Sequence, residues 1–235
     1  MRRPDRDTLS RRGFLAASAA SAGLSACASK GGETTPHREG GGAAEAEVTP
    51  AEDLMREHGV LRRVLFVYDD AAQRLDTGAA LPLDQLAAAA GLIRRVIEDY
   101  HEHLEEQHLF PRFEQAGTLV DLVTVLRTQH QAGRRVTAQI LALTAATLGD
   151  PERRQLATAL RAFNRMYRPH AAREDTVLFP ALHALVGARA YHELGEQFEA
   201  IEHQTLGEHG FEHAVADVAR IEQAFALDDL PQFTP

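Results

Sequence analysis

Apolar residues recur at helical spacing over five stretches of the chain. From Pro50 onward, Leu54, Val60, Leu61, Val64, Leu65 and Val67 with Tyr68 fall three and four apart, predicting an amphipathic helix that ends near residues 76–78. A second pattern starts around Pro82 and passes through Leu86, Ile93, Val96, Ile97, Tyr100, Leu104 and Leu109 to about Glu114, before Gly117 breaks it. A third covers about 118–148, with Val123, Leu126, Val136, Ile140 and Leu143 on its apolar side, and stops at Gly149-Asp150-Pro151. Pro151, suited to a first helical turn, opens a fourth that runs through Leu156, Leu160, Phe163 and Tyr167 to Phe179. Four long helices joined by short loops predict an all-α fold, an up-and-down antiparallel four-helix bundle. A fifth stretch, about 190–225, carries Leu194, Phe198, Ile201, Leu206, Phe211, Val215, Val218 and Ile221, with an interruption expected at Gly207 or Gly210. It is expected to lie against the bundle as an additional C-terminal helix, followed by a tail packed only by Leu230 and Phe233.

Before residue 50 the pattern changes. Arg2, Arg3, Arg6, Arg11 and Arg12 precede a small, apolar run from Phe14 to Ala26, the layout of an export signal and too short for a permanent membrane helix. SRRGFLA, residues 10–16, resembles a twin-arginine signal, and LSAC, residues 24–27, resembles the lipobox of bacterial lipoproteins. The expected organisation is a twin-arginine-type signal with lipobox over 1–27, a flexible linker rich in Gly, Glu, Thr and Ala over 28–49, which includes His37, and the helical body over 50–235. On that reading the twin-arginine translocon handles the chain during export, and a lipidated Cys27 anchors it to the membrane. Its place is the bacterial cell envelope, on the periplasmic side in a Gram-negative cell.

Composition narrows the function. The 235 residues carry 34 Asp and Glu against 25 Lys and Arg, a net charge of −9. Loss of residues 1–26 would leave 20 basic against 32 acidic side chains, a net charge of −12. Such a balance argues against nucleic acid as a partner, which would call for clustered Lys and Arg. One cysteine excludes an internal disulfide framework. The unusual ingredient is histidine, with 12 residues.

Four of those histidines fall at one height. With the first turn centred near residue 79, His58 lies 21 residues before it and His101 22 after; the turn near 116 is 15 after His101 and 14 before His130; the turn near 149 is 19 after His130 and 21 before His170. At a rise of about 1.5 Å per residue, all four share roughly one helical turn of the same level. Two of them have a glutamate four residues on, His101 with Glu105 and His170 with Glu174, which puts both side chains on one helix face. These pairs open echoing segments, HEHLEEQHLFP at 101–111 and HAAREDTVLFP at 170–180, and each follows a lone histidine by 43 and 40 residues. A helix pair is thus used twice. Four His and two Glu are too many for one tetrahedral zinc and suit two divalent or trivalent ions bridged by carboxylates. No Ser-His-Asp set, phosphate loop or dinucleotide fingerprint offers another chemistry.

Over about residues 50–225 these motifs resemble the hemerythrin-like, or HHE cation-binding, family. The resemblance implies a non-haem di-iron centre inside the bundle, with His58, His101, Glu105, His130, His170 and Glu174 as metal ligands and the two Glu as bridges. Fe, as two carboxylate-bridged ions, is the implied cofactor, with Zn or Mn as alternatives. The chain departs from oxygen-carrying hemerythrins: their third helix has two histidines four apart, whereas Arg134 follows His130 here, and the last helix offers Glu174 and Asp175 after His170. This smaller set leaves open coordination for a small diatomic or peroxide ligand, so binding or reduction of oxygen, peroxide or nitric oxide is the expected function. A metal-dependent oxidase or peroxidase, and a zinc-binding structural or scavenging protein, are the alternatives.

Other polar residues get secondary expectations. Glu102 and Asp175 are candidate acceptors for histidine N–H groups. Tyr100 and Tyr167 read as core residues, with Tyr167 the better placed to reach the site. His103 and His108 lie off the ligand face. A trailing cluster of His192, Glu196, Glu199, Glu202, His203, His209, Glu212 and His213 has helical pair spacings, which is weak by itself.

Overall fold

The computed structural model describes residues 48–235, so the export signal, the lipobox and all but the end of the expected linker lie outside the described residues. The described part is helical, with turns and no strand among the described residues. No helix among them is long and apolar enough to cross a membrane.

Helix α1, Pro50–Thr77, starts in a capping box. Thr49 Oγ1 accepts from Glu52 N at 3.2 Å and the Glu52 carboxylate accepts from Thr49 N at 2.9 Å, so two donors of the first turn are satisfied reciprocally. It ends at Gly78, whose φ of 74° is the left-handed cap glycine reaches without strain. Helix α2 spans 83–116, close to expectation. Helix α3, Val120–Thr144, stops four residues short of the expected end, because Ala145, Ala146 and Thr147 are exposed and nothing buries another turn. Helix α4 begins at Asp150 and continues to residue 186, beyond the expected stop at Phe179.

Pro180 explains the difference. A proline inside an α-helix removes one backbone bond and crowds the carbonyl four residues back. Here the segment Glu174–Leu178 is wound as a π-turn, with Phe179 N–H bonded to Glu174 O, and the helix resumes with Pro180 in its first turn. The echo in α2 does the same: Glu105–Leu109 is a π-turn, Phe110 N–H bonds Glu105 O, and Pro111 follows. The repeated Leu-Phe-Pro thus marks two wide turns, each beginning at the glutamate of a His-x-x-x-Glu pair. An earlier π segment, Ile93–His101, leads into the first of them.

Gly187, at φ 76° and ψ 163°, breaks the helix after residue 186, and α5 resumes there through Leu206, slightly before the expected start at Ala190. The expected interruption is present at Gly207, φ 85°, and α6 is Gly210–Phe225. Buried Glu202 at the end of α5 accepts from Phe211 N at 2.8 Å, which ties the first turn of α6 to it. In the tail, Phe233 meets Phe66 at 6.2 Å between ring centres while Leu230 stays 76% exposed, so that expected anchor is mostly solvated.

α1 packs along α4, α4 along α3 and α3 along α2, while α6 lies across α1 and the first part of α2. The apolar side chains form two clusters. Along α1 the chain leaves the cluster of Leu54 and enters that of Val60 to Leu75; α2 passes from Leu86 and Ile97 to Leu104 and Phe113; α3 goes from Leu126 to Ile140; α4 goes from Leu160 to Leu178. Each of the four helices therefore crosses from one cluster to the other, in alternating directions. His58, His101, His130 and His170 sit at the four crossings.

One close approach fixes the α3–α4 spacing. A Cβ on Gly133 of α3 would stand 2.0 Å from the Tyr167 hydroxyl, which donates to Glu102 at 2.5 Å. Gly133→Ala gains helix propensity of up to about 1 kcal/mol but forces Tyr167 away, and overpacking of this kind costs about 1–3 kcal/mol. The expected outcome is a net loss of stability in urea unfolding of the full chain; an unchanged or raised midpoint would show that the tyrosine is free to move.

Candidate metal centre

All six residues singled out by spacing converge. Each is buried, with Glu105, His130 and Glu174 fully so. His58 and His101 have ring centres 4.6 Å apart, and His130 and His170 5.0 Å apart. Between these two pairs lie the carboxylates: His58 Nε2 is 3.4 Å and His170 Nε2 3.1 Å from Glu174 Oε2, while His130 Nε2 is 3.4 Å and His101 Nε2 3.7 Å from Glu105 Oε2. The six residues give two groups of donor atoms, Glu105 with His130, His170 and Glu174, and His58 with His101 and Glu174; a third group, Glu102 and Glu106 with His130, draws on His130 as well.

The opposite ring nitrogens are all occupied. His58 Nδ1 is 2.7 Å from Asp175, His101 Nδ1 2.8 Å from Glu57, His130 Nδ1 3.0 Å from Glu106 and His170 Nδ1 2.8 Å from Gln129 Oε1. A carboxylate or amide oxygen only accepts, so each Nδ1 carries its proton and donates. Each ring is thereby locked with Nε2 facing the centre, the orientation that metal-ligating histidines adopt. Arg62 pairs with Asp175, and Arg134 with both Glu106 and Glu102, so two of these acceptors are anchored toward solvent.

This arrangement reassigns some secondary expectations. Asp175 accepts from a histidine as anticipated. Glu102 does not; it receives the Tyr167 hydroxyl and the Arg134 guanidinium. Glu57, Glu106 and Gln129 were missed, although each is the immediate neighbour of a proposed ligand. His103 is exposed and His108 leans on Phe198, away from the centre. Among the described residues, no group with metal-binding geometry contains any of the trailing His and Glu residues from 192 to 213.

Electrostatics within the layer are severe. Burial pushes Glu105 well above the usual carboxylate range, and the neighbouring Glu174 adds to the push. Burial would raise Glu174 too, but His170 and His58 outweigh it and hold its carboxyl low. Burial alone would lower His58, yet the carboxylates of Asp175 and Glu174 beside it lift it to about 9. His101 is pushed well below its ordinary value by burial and by the His58 charge, and His130 down to about 4 mainly by burial. Glu105, Glu174, His58, His101 and His130 are thus all displaced from their solution behaviour.

The donor chemistry fits a metal. Both oxygens of Glu105, both of Glu174, and Nε2 of His101 and His130 are buried with no hydrogen-bond partner among the described residues. Buried polar atoms are rarely left so. The facing nitrogens and oxygens stand 3.1–3.7 Å apart, a spacing suited to two donors each about 2 Å from one ion.

Comparison with known proteins agrees with this geometry. Residues 49–182 match the Hemerythrin HHE cation binding domain, and residues 121–226 match it again from α3 onward, as a repeated helix pair would. An uncharacterized protein of Mycobacterium bovis and uncharacterized proteins of two Mycobacterium tuberculosis strains are each 47% identical over 237 residues, covering 96% of this chain and 91% of theirs. No solved structure matches. The chain belongs to the hemerythrin HHE cation-binding domain family.

Proposed function

We propose that the chain holds two cations, iron foremost, between His58, His101, His130 and His170, bridged by Glu105 and Glu174, within an up-and-down four-helix bundle carrying α5 and α6 as additions. The carrying observation is the set of six buried side chains in which both oxygens of Glu105 and of Glu174, with Nε2 of His101 and His130, lack hydrogen bonds while every outward imidazole nitrogen has one. Bound iron would supply redox chemistry and an open coordination position for oxygen, peroxide or nitric oxide. The chain's own residues orient the imidazoles, exclude water and keep the carboxylates face to face. The twin-arginine and lipobox motifs support export and anchoring through Cys27, so we place this centre in the cell envelope.

Metal analysis of the full chain, with an optical spectrum, tests the reading. About two irons per chain with bands of bridged ferric ions are expected; a folded chain that takes up no metal would overturn it. Glu174 belongs to both donor groups and His58 to one. Glu174→Ala is therefore expected to abolish retention of both ions, whereas His58→Ala leaves about one.

Metal uptake should also depend on pH with a definite sign. In the metal-free chain at neutral pH, His58, lifted to about 9, holds a proton that ligation must displace, and burial shifts Glu105 toward its protonated form, so ligation must displace any proton there too. Binding releases them, so affinity climbs as pH rises from neutrality toward 9 and the His58 contribution levels off above it. Zinc added to weakly buffered protein at pH 7 should acidify a dye indicator; uptake without proton release would contradict this.

A further inference from the structure

The histidine partners follow one rule, used twice. The residue just before each lone histidine holds Nδ1 of the histidine on the next helix: Glu57 holds His101 and Gln129 holds His170, both at 2.8 Å. The residue just after each bridging glutamate holds a lone histidine: Glu106 holds His130 at 3.0 Å and Asp175 holds His58 at 2.7 Å. Even the arginines match, since Arg62 and Arg134 each lie four residues after the lone histidine and pair with Asp175 and Glu106. Every correspondence pairs like with like except one. Glu57 is a carboxylate and Gln129 a neutral amide.

That exchange falls on opposite sides of the centre. The His58–His101 pair is backed by two carboxylates, Asp175 and Glu57, and the His130–His170 pair by one, Glu106. Glu102, with a carboxylate oxygen within 4.8 Å of a His130 ring nitrogen, hydrogen-bonds to neither imidazole, and its charge is met by Arg134 at 2.9 Å and the Tyr167 hydroxyl at 2.5 Å. A carboxylate accepting the Nδ1 proton makes the imidazole a stronger donor than an amide does, and such partners are worth about 10–100-fold in metal affinity.

Resting on the two-cation reading above, we propose that Glu57 and Gln129 make the two ion positions unequal: the His58–His101 position holds its cation more tightly and favours higher charge, and the His130–His170 position is the exchangeable one. Both are positioning residues, acting through His101 and His170. Because Gln129 already orients its histidine from the matching place, the Glu/Gln exchange alters charge while keeping the contact.

Zinc titrated into the metal-free full chain and followed by calorimetry tests this. The native chain should show two binding steps of unequal affinity. Glu57→Gln and Gln129→Glu should each shrink the ratio between the steps by about 10-fold, the low end of the range for such partners. Glu57→Gln should do so by weakening the tighter step, and Gln129→Glu by strengthening the weaker. The double exchange should restore the native ratio. Variants that bind two zinc ions with the native ratio, or that both shift affinity in the same direction, would overturn the inference while leaving the two-cation reading intact. A native chain that binds fewer than two zinc ions would overturn both.

Discussion

Two glutamates placed face to face inside a protein are the constraint to which the rest of the structure answers. Glu105 and Glu174 have no exposed surface, and burying a carboxylate without partners costs several kcal/mol. With only protein around them the two settle unequally, Glu105 favouring its proton and Glu174 its charge against His58 and His170. Four imidazoles on separate helices are gathered at the same level. Cations between them would relieve the mutual repulsion and give every inward atom a partner. A stability-driven core would have no reason to assemble this layer.

The layer is held by borrowed contacts. None of the four central histidines is oriented from its own helix; Glu57 and Gln129 reach forward to the next helix, Glu106 reaches forward from α2 to α3, and Asp175 returns from α4 to α1. The four helices thus form a closed ring of hydrogen bonds, each helix giving one acceptor and receiving one. Removing any member leaves a buried N–H without a partner and a ring free to rotate, so position and tautomer are coupled around the whole circuit.

Much of this was legible in the chain itself. The helices, the break at Gly207 and the common height of His58, His101, His130 and His170 follow from periodicity and spacing, because rise per residue is nearly constant. The orienting partners were harder to see. Glu102 follows His101 and Glu106 follows Glu105 on α2, and only the rotation of α2 relative to α3 and α4 decides which of them accepts from a histidine. The π-turns shift that rotation. The continuation of α4 past Phe179 was hidden for the same reason: the wide turn that accommodates Pro180 leaves no hydrophobic signature, although the matching Leu-Phe-Pro after Glu105 offered a clue.

The wide turns also explain why Glu105 and Glu174 can face each other. An i to i+5 bond admits one extra residue per turn and alters the direction of the side chains that follow. In α2 this happens at Glu105 and in α4 at Glu174, while Leu109 with Phe110, and Leu178 with Phe179, return at once to the apolar cluster beyond. The packing faces before and after the layer can therefore each satisfy their own cluster, although a single regular helix would tie both to one phase. Proline fits where the regular ladder is already relaxed, which places the extra residue beside the site at little further cost to the helix. Stability then resides in the apolar clusters on either side, and the strained, polar chemistry is confined to the crossing between them.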